Sequence, residues 1–245
     1  MKKYIKSTFI VGFICLLAFS SCNKYYEDSG THVNNFDGTI VDYIKLRKDL
    51  FDSLYKVIQY ADLESTLANE KITFFAPADP TIRRSIFALN DYLYSKGLDT
   101  VTSMTQIDKS VWKDFLSMYV YRDVYLLKDI PPLDTLNMSV NPGQAFVSYG
   151  AHEMIIGVLY NDVVSGKDEK KQVVENAGYR QLYLSKIYNI SNLGGLGSMI
   201  NVPIASSDIK VKNGVIHALK YQNHVFGFNT TDFVNAAFNK GIKYK

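Results

Sequence analysis

Hydrophobic and polar positions change rhythm several times along this chain, and each change predicts an element. Between Thr39 and Leu67 the spacing is helical. Ile40, Val41 and Ile44 suit one short amphipathic segment. Leu50, Phe51, Leu54, Val57, Ile58 and Ala61 then recur at steps of three and four, which marks one buried helical face, with Asp49 as its expected N-cap. Leu63 and Leu67 add a further turn. At Ile72 the rhythm breaks. Ile72 to Phe75 is β-branched and aromatic and carries no charge, which predicts a short strand covered on both faces. That strand runs straight into Ala76-Pro77-Ala78-Asp79-Pro80. Pro77 lacks an amide hydrogen and ends ladder pairing. Pro80 suits a first helical turn and pushes Asp79 out of the helical basin, as an N-cap requires. The stretch therefore predicts a strand, a tight corner and a helix capped by Asp79, with Ile82, Ile86, Phe87 and Leu89 on its apolar side.

A polar passage covers residues 95 to 110. Val111, Trp112, Phe115, Leu116 and Tyr119 then predict a helix over about 110 to 120. Beyond Tyr125 the pattern is β-like, with a break at Pro131-Pro132. Residues 144 to 160 and 179 to 190 are strand candidates. In the second, Leu182, Leu184, Tyr188 and Ile190 share one parity and Gln181, Tyr183, Ser185 and Asn189 the other, with Lys186 the exception. SGKDEKKQ between the two reads as a charged, exposed loop. Asn213-Gly214, set between alternating runs, predicts a hairpin whose two central residues take positive φ. After it, Val215, His217, Leu219 and Tyr221 face one way and Ile216, Ala218 and Lys220 the other, a mostly buried strand. Residues 229 to 245 read as a short helical tail.

Two of these segments resemble the signatures of fasciclin-type domains. ITFFAPADPTI resembles the first, through Thr73, Phe75, Ala76, Pro77 and Asp79. IKVKNGVIHALKY resembles the second, through Asn213, Gly214, Ile216 and His217. The lead-in FDSLYKVIQYADLESTLANE and the segment FLSMYVYRDVY fit the family's first helices and middle segment, so the resemblance covers about Thr39 to Phe228. It implies an α+β fold: a fasciclin-like wedge or sandwich of twisted β-sheets flanked by several helices. In that fold the proline corner hands a strand to a helix at the edge of the sheet assembly, and the hairpin lies in the same core. It also implies binding or adhesion rather than catalysis. The family's middle segment often carries a Tyr-His pair implicated in cell adhesion; this chain reads Met118-Tyr119 there, so that contact is not carried over. Residues 131 to 207 are longer and more diverged than the family's compact pattern, which leaves room for loops peculiar to this protein.

The first 21 of the 245 residues belong to no fold. Lys2, Lys3 and Lys6 precede an apolar run from Phe9 to Phe19 and two serines, which is the layout of a secretory signal. LAFSSC resembles a bacterial lipoprotein processing box, with Phe19 where the pattern prefers Leu. It implies that Cys22 is acylated with palmitate-type chains and becomes the first mature residue. Cys15 lies inside the signal, so the mature chain keeps one cysteine and no internal disulfide. Acyl chains contribute about 0.8 kcal/mol per buried methylene, so several of them make a durable membrane anchor. Residues 22 to 38 read as a lipidated N-terminus and polar tether, 39 to 228 as the domain. Glu27 and Asp28 either resemble the surface-export signal of Bacteroidetes-type lipoproteins or serve as a solvated linker. Removing the signal takes three lysines and no acid from 27 basic and 24 acidic residues. The balance that remains is even, which argues against nucleic acid as a partner.

Candidate chemistry is sparse. His32, His152, His217 and His224 show no His-Glu-x-x-His spacing or Cys/His cluster, so no metal or cofactor site is expected. His217 reads as a hydrogen-bonded core residue, and His152-Glu153 as a structural or solvated pair. The glycine run of Gly194, Gly195 and Gly197 lacks the Lys-Ser/Thr of a phosphate loop, and no Gly-x-Ser-x-Gly elbow is present. The 18 tyrosines, with Tyr25, Tyr26 and Tyr183 expected at the surface, favour recognition of sugars or proteins. The sequence thus points to a lipid-anchored outer-membrane binding or adhesion module at the cell surface. Its partner is a glycan or an envelope or extracellular protein, with a place beside a glycan-uptake complex as one version. A hydrolase using residues 131 to 207 and a purely structural envelope subunit are the alternatives.

Overall fold

Helix α1 (Ile40–Leu46) begins at a reciprocal cap: Thr39 Oγ1 accepts the Asp42 amide and Asp42 Oδ2 accepts the Thr39 amide at 2.9 Å. The computed structural model describes residues 35–134, 143–166, 172–188 and 199–244, all within one compact unit of Asn34–Lys245. The signal segment, Cys22, Tyr25, Tyr26, Glu27, Asp28, His32 and the Gly194–Gly197 run lie outside the described residues. Helix α2 (Lys48–Tyr60) buries Phe51, Leu54, Val57 and Ile58, as the apolar stripe predicts. Asp49 is not its N-cap. It lies inside the first turn, where its carboxylate accepts from the Arg47 guanidinium at 2.9 and 3.0 Å. Helix α3 (Glu64–Asn69) leads to strand β1 (Ile72–Ala76), all five residues of which are buried. Helix α4 (Asp79–Ser95) turns Ile82, Ser85, Leu89 and Leu93 to the core, while Phe87 is 67% exposed. At 100° per residue Phe87 falls off the stripe that the other four define.

Two further α-helices among the described residues are α5 (Lys109–Ser117), capped by Asp108 on the Ser110 amide at 2.8 Å, and α6 (Thr230–Lys240), capped by Asn229 on the Thr231 amide at 2.8 Å. Trp112 sits at the centre of the core. Its indole donates to the Met104 carbonyl at 3.0 Å, and its rings pack on Phe226 and Phe233 at 5.7 and 5.3 Å. Phe233 also meets Phe115 edge-on at 5.4 Å. The helix in the segment read as a tail is therefore built into the core. At the other end, the Phe36 amide donates to the Lys210 carbonyl and the Lys212 amide to the Gly38 carbonyl, both at 2.8 Å, so ordered packing begins before Thr39.

Seven strands form one sheet in the order β2-β1-β9-β8-β7-β4-β3, where β2 is Val120–Arg122, β3 Gln144–Val147, β4 Glu153–Tyr160, β7 Arg180–Ile187, β8 Met199–Val211 and β9 Gly214–Leu219. The β1–β9 pair is parallel and the others antiparallel. Strand β1 thus lies one place in from the edge. Strand β8 belongs to both halves. Its first residues pair with β7, and the rest pair with β9 through register shifts near Ser206, where Asp208 takes φ 58°. The bend lets the two outer strands meet: the Tyr149 amide donates to the Val120 carbonyl at 2.7 Å, and Phe146 packs edge-on against Tyr121 and Tyr125. The sheet nearly closes on itself, with helices beside it. The fold is α+β, as expected.

Two strand expectations change in detail. Residues 144 to 160 are a hairpin, β3 and β4, turned by Ser148 to His152 with Ala151 at φ 61°. The ends of the loop read from SGKDEKKQ join a small ribbon, β5 (Val163–Ser165) with β6 (Gln172–Val174). Strand β7 buries Leu182 and Leu184 as predicted, but ends before the exposed Tyr188; Asn189 and Ile190 lie outside the described residues. Lys186 breaks the apolar parity because its ammonium reaches Asp232 of α6 at 2.8 Å. If α6 is part of the core, Phe233→Ala costs about 3–5 kcal/mol by equilibrium urea unfolding. A loss under ~1 kcal/mol would mean that the helix is an appendage.

Candidate functional site

The two sequence corners meet along the parallel β1–β9 pair, where Ile72 lies opposite Gly214, Phe75 opposite His217 and Ala76 opposite Ala218. The Ile72 amide donates to the Asn213 carbonyl at 3.1 Å. Gly214 has φ +156°, and a Cβ there would stand 1.9 Å from the Ile72 carbonyl oxygen, so the close pairing requires glycine. The turn itself differs from expectation. Its central residues are Lys212 and Asn213, neither at positive φ, and Gly214 already belongs to β9. The Asn213 side chain is used elsewhere. Its Oδ1 accepts the Ile40 amide at 2.9 Å, and its Nδ2 donates to the Leu67 and Glu70 carbonyls at 2.9 and 3.0 Å. One amide thereby satisfies the open N-terminus of α1 and the open C-terminus of α3.

Thr73 and His217 converge on the segment after β2. Thr73 Oγ1 donates to the Asp123 carbonyl at 2.9 Å and accepts the Tyr125 amide at 2.8 Å. His217 Nε2–H donates to the Tyr125 carbonyl at 2.9 Å, and Nδ1 accepts the Asp208 amide at 3.2 Å. Both ring nitrogens are engaged, the ring lies 5.0 Å from that of Phe75, and burial lowers its pKa. His217 is a neutral core residue. Ala76, Pro77 and Ile216 are buried beside it.

Asp79 departs from its expected role. The N-cap of α4 is Ala78, without a side-chain bond. The Asp79 carboxylate, 7% exposed, reaches α2 instead and accepts the amides of Ser53 and Leu54, both at 3.0 Å. Those amides are open because Phe51 breaks α2 at φ −133°, ψ 20°. Asp79 thus caps the main part of α2 from a different element, a negative group at a helix N-terminus.

Thr73, Asp79, Asn213 and His217 are spent on internal bonds, and among the described residues the buried side-chain atoms left without partners lie elsewhere. Tyr183 of β7, Asn201, Val202 and Pro203 of β8, and Lys220, Gln222, Asn223 and His224 after β9 line a polar cleft of about 300 Å³. The register that opposes Tyr183 to Pro203 sets its wall. The Lys220 amide donates to the Pro203 carbonyl at 2.9 Å, and the Arg84 guanidinium of α4 donates to the carbonyls of Tyr221 and His224. Those bonds hold the loop in place. His224 is 1% exposed, and its Nε2 lies 3.2 Å from the Tyr119 hydroxyl, which accepts the Gly227 amide at 2.8 Å. Burial, and then the nearby Arg84 charge, push the His224 pKa down to about 3; burial raises that of Tyr119. His224 Nδ1, Asn201 Oδ1 and Ser185 Oγ are buried without a hydrogen-bond partner, and Ser185 lies directly opposite Asn201 in the β7–β8 ladder.

Other expected groups are accounted for. His152 Nε2 meets Asp114 Oδ1 at 3.0 Å and holds that carboxyl below its usual range; Glu153 is exposed. Tyr183 is half-buried at the cleft wall. Among the described residues no group of three His, Cys, Asp or Glu is placed to hold a metal ion.

Asp79→Ala leaves two amides of α2 uncapped and costs about 2–3 kcal/mol, more than the ~1 kcal/mol of a single surface cap; a change in urea midpoint equivalent to under ~0.5 kcal/mol would refute the contact. His224 gives a pH signature. Its folded pKa of about 3 lies below the 6.5 of an unhindered histidine, so between those values the unfolded chain binds more protons. Stability is therefore full above pH 6.5 and falls as pH drops toward 3, with His217 acting in the same direction. NMR titration is expected to show His224 neutral at pH 5; protonation near 6.5 would contradict the buried geometry.

The sequence matches no family model and no curated protein. Among solved structures, the chain is similar to a FAS1 domain pair from the insect cell adhesion molecule fasciclin I, with a TM-score of 0.41 and 13% identity. The similarity covers 75% of this chain and 50% of that one, so the chain spans about half the length of that structure.

Proposed function

We propose that this protein is a lipid-anchored binding or adhesion module of a bacterial outer membrane, displayed at the cell surface through acylated Cys22. Its partner is a glycan or an envelope or extracellular protein, and an accessory place beside a glycan-uptake complex fits the same reading. The observation that carries it is the division of labour among polar side chains. Thr73, Asp79, Asn213 and His217 are all used inside the scaffold. The cleft, by contrast, is lined by an aromatic ring, three side-chain amides, one lysine and one neutral histidine. That set offers donors, acceptors and an apolar face, which suits recognition rather than bond cleavage. The LAFSSC stretch supports the anchor, and the even charge balance beyond the signal supports a partner other than nucleic acid.

Replacing Cys22 with Ala tests the anchor. The wild-type protein is expected in the outer-membrane fraction with incorporated palmitate, and the variant in the soluble fraction; membrane retention without palmitate in either would overturn it. Protease treatment of intact cells is expected to remove the protein, which would not happen to one facing the periplasm. An array of glycans and matrix proteins is expected to give saturable binding. No binding, together with turnover of a generic ester or glycoside, would favour an enzyme.

A further inference from the structure

We infer that the cleft between Tyr183, Asn201 and His224 seats one neutral sugar unit, a ligand whose hydroxyls both donate and accept. This deepens the binding-module reading and rests on it.

The argument starts from the hydrogen-bond roles in the floor. The Tyr119 oxygen accepts the Gly227 amide, so its own hydrogen is free to go to His224 Nε2. With Nε2 as acceptor in a neutral ring, Nδ1 carries the proton. Nδ1–H is then a buried donor with no acceptor, and Asn201 Oδ1 in the same cleft is a buried acceptor with no donor. Buried polar groups are rarely left unpaired, because their desolvation goes uncompensated. A buried donor and a buried acceptor on residues that line one cleft match a ligand whose hydroxyls both donate and accept.

The rim agrees with this. Gln222 and Asn223 are exposed and supply further amide donors and acceptors, and Tyr183 supplies an aromatic face. Asn223 holds φ 59°, a left-handed turn conformation that asparagine tolerates. Lys220 is the single ionised side chain in the lining, and Arg84 is turned to backbone carbonyls rather than to the cleft. The site is therefore built for neutral polarity and not for an anion. A volume of about 300 Å³ is at the small end of ligand pockets, fit for one ring rather than an extended chain. Both unpartnered atoms are buried and belong to residues that line the cleft, and the soft terminal torsion of the Asn201 amide allows its oxygen to turn toward an entering group.

The test titrates the full chain in detergent with glucose, galactose, mannose, N-acetylglucosamine and their disaccharides, following ¹⁵N signals of the Asn201, Gln222 and Asn223 side-chain amides and the His224 ring. At least one sugar is expected to shift all four sets saturably. Gln222→Ala, at the exposed rim, should weaken binding roughly tenfold or more while leaving the melting temperature unchanged. Tyr183→Ala, at the wall, should weaken it as much but also lower the melting temperature, because Tyr183 packs against Leu133, Ile155 and Met199. His224→Phe should abolish binding; if that variant misfolds, Gln222→Ala decides. No shift with any sugar, shifts confined to other surfaces, or shifts produced only by acidic sugars or by a peptide would each overturn the inference. None of those results would affect Cys22 anchoring or capture of a partner on the array, so the two readings fail separately.

Discussion

Ile72 and Gly214 stand opposite each other in a parallel pair so close that a single Cβ would collide with a carbonyl oxygen. Much of the described structure depends on that approach. It brings β9 beside β1, places His217 against Phe75, and sets Asn213 where its amide can close the ends of α1 and α3. From there Thr73 and His217 hold the segment leaving β2, and β2 forms the edge that β3 curls round to meet. Asp79 adds a second tie at the far end of β1 by capping α2 across the interface. Each of these side chains satisfies backbone groups of another element. Local segments thereby become a single core.

The scaffold was largely legible because periodicity and turn chemistry are local. The stripe from Leu50 to Ile58, the uncharged Ile72–Phe75 and the position of Asn213-Gly214 each follow from neighbouring residues alone. What could not be read was tertiary partnership. Asp79 reads as the cap of its own helix, since Pro80 follows it, yet its acceptors are filled by amides 25 and 26 positions earlier. The open amides arise from the break at Phe51, which has no mark in the apolar spacing. Asn213-Gly214 suggested a turn requiring positive φ, whereas glycine is needed for close approach to β1 and asparagine for two helix ends.

The cleft was harder still. Asn201, Gln222 and Asn223 sit in segments whose sequence carries no motif, and their meeting depends on the β7–β8 register and on Arg84 holding the loop. His224 belongs to no sequence motif; it is buried against Tyr119, 105 positions earlier, and against Phe228 of its own segment. Tyr119 itself is fully buried, with its hydroxyl between the Gly227 amide and His224 Nε2. A rigid frame carrying a polar loop site is a common division of labour, since loops can vary while the frame holds them.

That division is tested most directly by native-state hydrogen exchange on the full chain. The account predicts that amides of Ile72–Ala76 and Gly214–Leu219 exchange only with the free energy of global unfolding, as one unit, while those of residues 220 to 224 open at lower free energy. If β1 and β9 exchanged at separate, lower free energies, or if the loop were as protected as the strands, the frame and the site would not be the distinct parts described.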